Sequence, residues 1–555
     1  MLRVTFKKYH GPIKVRDAAM FLLPGYAPPN PPPGEYVTGC DSPGDGDYIW
    51  FMAYRIVITC DRTMASDYHG LIFFGFSACL PSGTLPDRLY YPLFCPSGKH
   101  DDQGRLLHAN CGMRKIEAAL LADGFSRDDI VVAHPDCLDR VIGPETRIVS
   151  ISANDPLGIG PATSTYSELW GGEGRMAIEL RRLLRDPAIR RHRPVVVLGG
   201  PGAWQLSVDD RKRRQLGIDC VFVGEGEVGG PRLFRRILEN GRDGLPAVVT
   251  GEPVPVEAIP DIVGGTTIGI IEATRGCARS CAFCVPSVRK VRSRPLENIL
   301  REVQVNMDAG NTGVILHGED VLLYRSDGLK VNPDAVVEMF ERVYTAPGVR
   351  FVGASHAALS SAVSSPQTIE RLSRVLELGT VKNPTNYFQV GIETASPKLI
   401  GRHMKGKVYP FEPGQWPQVV RDGFKLLHDN HFVGCATVIM GLPGEEREDI
   451  EQTTELVKSL RPCQSLVVPL LFSPLQTTRL EYATALKKKD LTAQHYELIT
   501  ACWDHNFAWF PPMWVNYGRD SNPLLRVAMR FVLTHGAKLV KYRIHRDARR
   551  HGARV

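Results

Sequence analysis

Between residues 66 and 480, short apolar runs alternate with stretches of helical period, and this alternation constrains the fold more than any other feature of the chain. The first series reads "LIFFGFSACL", "IVVAH", "RIVSISA", "PVVVLGG" and "CVFVGEGE", divided by helical patterns such as "MRKIEAALLADGF" and "GRMAIELRRLLRD". β-Rich runs separated by helices predict a parallel sheet covered on both faces. Several runs end directly in Gly or Pro, at the edge where an open α/β sheet binds its ligand. Residues 241–265, rich in Pro, Gly and Val, read as a connector. A second series follows: "TIGIIEAT", "TGVILHGE", "RFVGASHA", "NYFQVGIET", "GCATVIMGLP" and "SLVVPLLF". Six β/α units predict a partial barrel whose site lies at the C-terminal ends of its strands.

The expected organisation is α/β in four parts: an arm or wrapping segment over residues 1–65, an open-sheet domain over 66–250, a partial (β/α)6 barrel over 251–480, and a helical, basic extension over 481–555. No run reaches the roughly 18 apolar residues of a membrane span. The start, "MLRVTFKKYH", lacks the apolar core of a signal peptide. The cytoplasm is therefore the expected compartment, with no membrane partner. Thirteen cysteines, an odd count without paired spacing, argue against a disulfide framework. The net charge of +7 is concentrated at the end, where residues 521–555 hold nine Lys/Arg against one Asp. Such a run usually forms a solvated helix face, and a nucleic-acid partner is not expected from it. The "RKVRSR" run, Arg289 to Arg294, reads either as a group orienting an anion or as a solvated loop.

Cys277, Cys281 and Cys284 stand in "TRGCARSCAFC", directly after the first barrel strand. A zinc site normally takes four protein ligands, and no fourth Cys or His lies at a matching distance. Three thiolates can instead hold three irons of a [4Fe–4S] cluster and leave the fourth iron open.

This motif resembles the radical S-adenosylmethionine (SAM) superfamily, whose signature is Cys-x3-Cys-x2-Cys after the first strand of a partial barrel. The resemblance implies that the open iron binds SAM and that the reduced cluster cleaves it to a 5′-deoxyadenosyl radical. It also implies an external electron donor of the flavodoxin or ferredoxin type. Phe283 matches the aromatic position beside the adenine. "HGED" places Gly318 and Glu319 where the family contacts the methionine amino group, and "GASH" makes Ser355 a ribose candidate. "VGIETASPKLIGRHMKGK" puts Glu393 toward SAM, with Arg402 or Lys405 near its carboxylate. "CATVIMGLPGE" sets Gly441 and Leu442 beside the adenine.

The upstream half resembles the Rossmann-like cobalamin-binding domain of the class B branch. Three loops carry this: "SISANDPLG" with Asn154, Asp155, Leu157 and Gly158; "LGGPGAW" with Gly199, Gly200, Pro201 and Gly202; and "VGEGEVGG" with Val223, Gly224, Glu225, Gly226 and Glu227. The resemblance implies that these loops hold the corrin edge and nucleotide tail. The Asp-x-His-x-x-Gly motif that supplies a cobalt ligand elsewhere is absent. Asp155 then reads either as a group on the lower cobalt face or as an ordinary turn residue before Pro156.

The implied activity is C-methylation of an unactivated carbon, expected to be sp³, through a 5′-deoxyadenosyl radical and methylcobalamin. No catalytic side-chain base is nominated. The layout is similar to that of the glutamine C-methyltransferase acting on methyl-coenzyme M reductase, so the substrate is expected to be a peptide or protein, or a natural-product intermediate. Two alternatives stand beside it: a non-methylating cobalamin-dependent cyclase or ring-contracting enzyme, and an RNA-modifying methylthiotransferase-like enzyme. The last would carry a second cluster, for which Cys79 and Cys111 are the residues to check.

Overall fold

A computed structural model describes residues 53–285, 290–517 and 523–555. Most of the expected arm, residues 1–52, and Arg289 of the basic run lie outside them. The first strand, β1 (Ile56–Cys60), falls inside the 1–65 segment assigned to the arm. It joins β2 (Ile130–Val132), β3 (Ile148–Ser152), β4 (Val195–Gly199), β5 (Cys220–Gly224) and β6 (Val248–Gly251) in one sheet of order β2-β1-β3-β4-β5-β6. Every pairing in it is parallel.

Alternation of side chains about the sheet plane explains the layered core. Val57, Val149, Ile151, Val196 and Leu198 pack on one face, and Ile56, Ile58, Ile148, Val195 and Val197 on the other. Both faces are covered, as a parallel sheet requires. Two expectations fail here. "LIFFGFSACL" is not a strand: Ile72–Cys79 forms a 3-10 helix, whose Phe74 stacks on Trp514 and whose Phe76 joins the Met513 cluster. Phe74 and Phe76 thus pack toward the helix Ala493–Tyr517, and Phe76 also toward Val433, Cys435 and Leu466, rather than joining the open sheet. The 241–265 segment, in turn, is more than a connector, because it supplies the edge strand β6.

All six expected barrel strands form: β7 (Ile270–Glu272), β10 (Gly313–His317), β11 (Phe351–Ala354), β12 (Asn386–Glu393), β13 (Phe432–Met440) and β14 (Ser465–Leu471). Between the first two, β8 (Thr274–Arg275) and β9 (Arg292–Ser293) pair antiparallel across the cysteine loop. Strands β7, β10 and β11 form one parallel group and β12, β13 and β14 another. The groups meet where Gln389 N–H donates to Ser355 O (2.8 Å) and Ala357 N–H to Gln389 O (3.0 Å). Helices cover the outside with apolar stripes. Trp416–Asp429, for example, buries Trp416, Val419, Val420, Gly423, Phe424 and Leu427 at helical spacing.

The described residues form one compact unit. The open edge of β14 is closed by side chains: Asn506, on the helix Ala493–Tyr517, bonds both Val467 N (2.7 Å) and O (2.8 Å), and Thr165 Oγ1 accepts from Leu471 N (2.8 Å). This protection removes the unpaired ladder that an edge strand exposes. The basic C-terminal helix, Ala537–Arg550, docks through Lys541 and His545 onto Asp504 (2.8 and 3.0 Å). No helix of the described residues is long and apolar enough to cross a membrane.

Candidate active site

The cysteine loop leaves β8 through Gly276, Ala278 and Ser280, all with positive φ (91°, 56° and 53°). A loop with two non-glycine residues in this strained region persists only where its surroundings over-determine it. Arg279 does so. Its buried guanidinium donates to Ser360 Oγ (2.9 Å), Ser361 Oγ (2.7 Å), the carbonyls of Gly406 (3.2 Å) and Lys407 (3.0 Å), and Asp320 Oδ2 (2.9 Å). Ala282 N–H donates to His403 O (2.7 Å), and Arg479 reaches Ser280 O (2.6 Å). Cys281 is buried, with Cys277 and Cys284 half-buried. Burial pushes all three thiols up, Cys284 to about 12 with added repulsion from Cys281 and Glu319. They become thiolates only with a cation beside them. Among the described residues, these three do not form a donor set closing within 4.8 Å, as ligands of one metal ion would. A cube that puts each thiolate on its own iron fits three thiols held apart on one rigid loop.

The barrel strand ends converge above this loop. Glu393, at φ 62°, is buried, accepting from Lys407 Nζ (3.0 Å) and Thr437 Oγ1 (3.0 Å). Burial alone would lower Lys407, but Glu393 beside it holds the ammonium above its ordinary range. Lys407 is thus the cation that contacts Glu393, whereas Arg402 and Lys405 were the ones singled out from the sequence. Both of those are exposed, and Arg402 lies against the Gly444 turn. Ser355 ties β10 to β11: its Oγ accepts from Gly318 N (3.2 Å), contacts His317 Nδ1 (3.0 Å) and donates to Gly318 O (3.1 Å). Gly318 cannot carry a side chain, since a Cβ would come within 2.0 Å of Thr274 Oγ1. Glu319 is exposed, Phe283 is half-buried, Leu442 is buried, and Gly441 turns at φ 84° with its N–H on Glu445 (2.7 Å). Sequence reasoning missed Arg279, Asp320, Lys407 and Thr437. All four lie inside stretches already singled out, Arg279 in "TRGCARSCAFC", Asp320 in "HGED", Lys407 in "VGIETASPKLIGRHMKGK" and Thr437 in "CATVIMGLPGE", but the contacts that recruit them are with residues distant in sequence.

The three upstream loops lie at the C-terminal ends of adjacent strands β3, β4 and β5. Asn154, Gly200, Pro201 and Gly224 are exposed there, while Gly199, Leu157, Gly158 and Val223 are half-buried. An exposed rim of that kind fits a large planar cofactor, but several nominated residues serve the protein itself. Asp155 is turned into its own loop, with Oδ1 accepting from Ile159 N (2.9 Å), Gly160 N (3.0 Å) and Gln205 Nε2 (2.7 Å). That is the turn geometry for Oδ1, while Oδ2 is buried with no hydrogen-bond partner among the described residues. Cβ atoms at Gly200 or Gly202 would collide with the Ala153–Asn154 backbone at 2.8 and 2.3 Å, and one at Gly226 with Ile116 at 2.6 Å. These glycines permit loop-on-loop packing. Glu225 and Glu227 pair with Arg275 (2.9 and 2.6 Å), beside Glu272 (2.6 Å), and Glu225 also pairs with Arg292. This cluster fastens the sheet to the strands flanking the cysteine loop. Arg292, in the basic run, thus meets a carboxylate of the protein.

Cys79 and Cys111 do not come together as a second cluster site. Cys79 ends the 72–79 helix beside Thr163 and Asp155, and Cys111 starts the helix Cys111–Ala122 beside Lys115 and Glu302. His100, His134 and Cys137 do converge within 4.8 Å. However, His134 Nδ1 accepts from Asp136 N (3.1 Å) and Nε2 bonds Ser97 Oγ (2.9 Å), which leaves neither ring nitrogen for a metal.

Residues 271–457 match the Radical SAM superfamily. The ribosomal protein uS12 methylthiotransferase RimO of Petrotoga mobilis is 27% identical over 211 residues, 37% of this chain and 43% of that protein. The tRNA-2-methylthio-N(6)-dimethylallyladenosine synthase of Moorella thermoacetica is 26% identical over 315 residues, 54% of this chain and 64% of that protein. The chain thus spans less than two thirds of either relative's length. The fold is similar to that of the radical S-adenosylmethionine methyltransferase TsrM from Kitasatospora setae, solved with cobalamin and a [4Fe-4S] cluster, at a TM-score of 0.51, 14% identity and 77% coverage of each chain. A second structure of the same enzyme, with tryptophan substrate and a SAM analogue, matches at a TM-score of 0.50 and 15% identity, covering 77% of this chain and 76% of that one. The three cysteines and the strand ends that converge on them thus lie in a domain, residues 271–457, that matches the Radical SAM superfamily.

Proposed function

We propose that the chain is a cobalamin-dependent radical SAM C-methyltransferase acting on an unactivated carbon of a peptide, protein or natural-product substrate, the α carbon of a protein glutamine among the candidates. The observation that carries this reading is the attachment of the open parallel sheet to the cysteine-loop flanks through Arg275, Arg292, Glu225 and Glu227. It sets a rim of strand-end loops beside a barrel that holds a three-cysteine loop, in a fold like that of an enzyme whose structure contains cobalamin and a [4Fe-4S] cluster. Cys277, Cys281 and Cys284 would hold the cluster; Glu393, Lys407 and the Gly318 strand end would meet SAM; and the exposed tips at Asn154, Gly200, Pro201 and Gly224 would meet cobalamin. When bound, these groups supply radical generation and methyl transfer. The protein's part is to fix three reactants in register and exclude water.

A second reading has its own support, since the curated relatives are methylthiotransferases. The separation of Cys79 from Cys111 weighs against it. The test is turnover with methyl-deuterated SAM. The proposal expects 5′-deoxyadenosine and S-adenosylhomocysteine in equal amounts and a trideuteromethyl product. 5′-Deoxyadenosine without S-adenosylhomocysteine would point to the non-methylating alternative, and sulfur in the product to the methylthiotransferase.

A further inference from the structure

We infer that the substrate of this enzyme carries a flat, apolar aromatic ring system, bound in a cavity on the inner side of β13 and β14; this rests on the methyltransferase reading above. Thr437 projects toward the site, where it bonds Glu393. Side chains two residues apart share a strand face, so Cys435 lies on that same face one pleat away, about 7 Å along the strand. Its register partner Leu466, and Val468 opposite Thr437, continue the surface onto β14. Here the two strands form one wall of a partly open cavity of about 230 Å³. It is lined by Cys435 and Val468, by Tyr166 and Trp170 from the sheet domain's helix, and by Phe74 and Trp514 from the two flanking segments.

Size and lining identify the occupant. A dry cavity of roughly 150 Å³ with apolar walls takes a benzene ring. A space half as large again accommodates a fused bicycle. Tyr166 stacks on Trp170 (5.0 Å, 2° between planes) and Phe74 on Trp514 (5.8 Å, 5°), so the walls are fixed ring pairs that offer faces and edges to another ring. Polar groups are few. Asn506 is committed to the β14 backbone, and among the described residues Ser77 Oγ has a long contact with Tyr90 Oη (3.4 Å), which leaves it for one hydroxyl or N–H of a ligand. Such a pocket recognises the substrate's ring and directs the remainder along β13 toward Thr437 and Glu393.

Isothermal titration of the full chain with 2-naphthol tests this, with 1-decanol as an aliphatic comparison. Saturable one-to-one binding of 2-naphthol is expected, at least tenfold tighter than 1-decanol. Cys435→Phe and Val468→Phe, which fill the space from two strands, should each weaken it tenfold or more while circular dichroism shows the fold retained. No binding of 2-naphthol, equal binding of 1-decanol, or unchanged binding in both folded variants would overturn the inference. Calorimetry reads the cavity without turnover. Failure of the methyltransferase reading would instead appear as 5′-deoxyadenosine without S-adenosylhomocysteine, or as sulfur in the product, with 2-naphthol binding intact.

Discussion

Arg279→Met should separate the architecture of the cysteine loop from its chemistry. The methionine keeps most of the stem volume and removes five hydrogen bonds, one of them to the carboxylate of Asp320. Arg279 and Asp320 are both nearly inaccessible, at 3% and 1%. Deleting the cation leaves Asp320 with only Ser361 Oγ (2.8 Å) and Ala358 N (3.2 Å). Removing one partner of a buried ion pair costs about 3–5 kcal/mol, mostly because the surviving charge is stranded. Urea unfolding of the purified chain should show a loss in that range. Arg279→Met/Asp320→Asn should recover 1 kcal/mol or more of it, on the order of the coupling between residues in contact. The loop between Cys277 and Cys281 loses its anchor to the Gly406–Lys407 turn, so the reconstituted cluster should also bleach faster in air. A loss below about 1 kcal/mol, with no coupling in the double variant, would refute this account of how the loop is held.

Other expectations follow from the same contacts. Lys407→Met should weaken SAM binding more than Arg402→Met or Lys405→Met, by tenfold or more in equilibrium dialysis, because only Lys407 touches Glu393. Glu225→Gln should release Arg275 and Arg292 partly and lower thermal stability, whereas Asp155→Asn should leave the absorption of bound cobalamin unchanged, since Oδ1 is engaged by its own loop and an amide oxygen can accept the same bonds. Burial holds His134 and His505 at about 4, against an ordinary 6.5. Both are neutral when folded and take up a proton when unfolded below that value. Stability should therefore be intact above pH 6.5 and fall as pH drops toward 4, by no more than about 3 kcal/mol for each histidine. A flat profile across that window in urea titrations would contradict it.

The barrel was largely legible because each of its strands is an apolar run ending in a turn, a pattern set by local burial. The Cys277, Cys281 and Cys284 loop was legible because ligand spacing is local too. What escaped depended on distant partners. β1 fell within the 1–65 segment read as an arm, whose Gly- and Pro-rich composition outweighed the short run "IVITC", although Ile56 to Cys60 are all buried. β6 is an edge strand with alternating exposed and half-buried residues, so its signal merged with the connector. The aromatic run at 72–79 has strand composition but finds its partners on a helix some 440 residues onward. Glu225 and Glu227 looked like cofactor ligands because nothing near them reveals Arg275, 48 residues or more away. The pairing of Lys407 with Glu393, 14 residues earlier, was not legible because no local spacing rule joins a strand end to a residue beyond the following helix, Pro397–His403.

The most direct test of the central claim is an iron count after anaerobic reconstitution, combined with reductive SAM cleavage, in the parent chain and in Cys281→Ala. A single three-cysteine cluster predicts about four irons per chain and 5′-deoxyadenosine on reduction, with both lost in the variant. About eight irons in the parent, or a variant that keeps its iron and still forms 5′-deoxyadenosine, would contradict it.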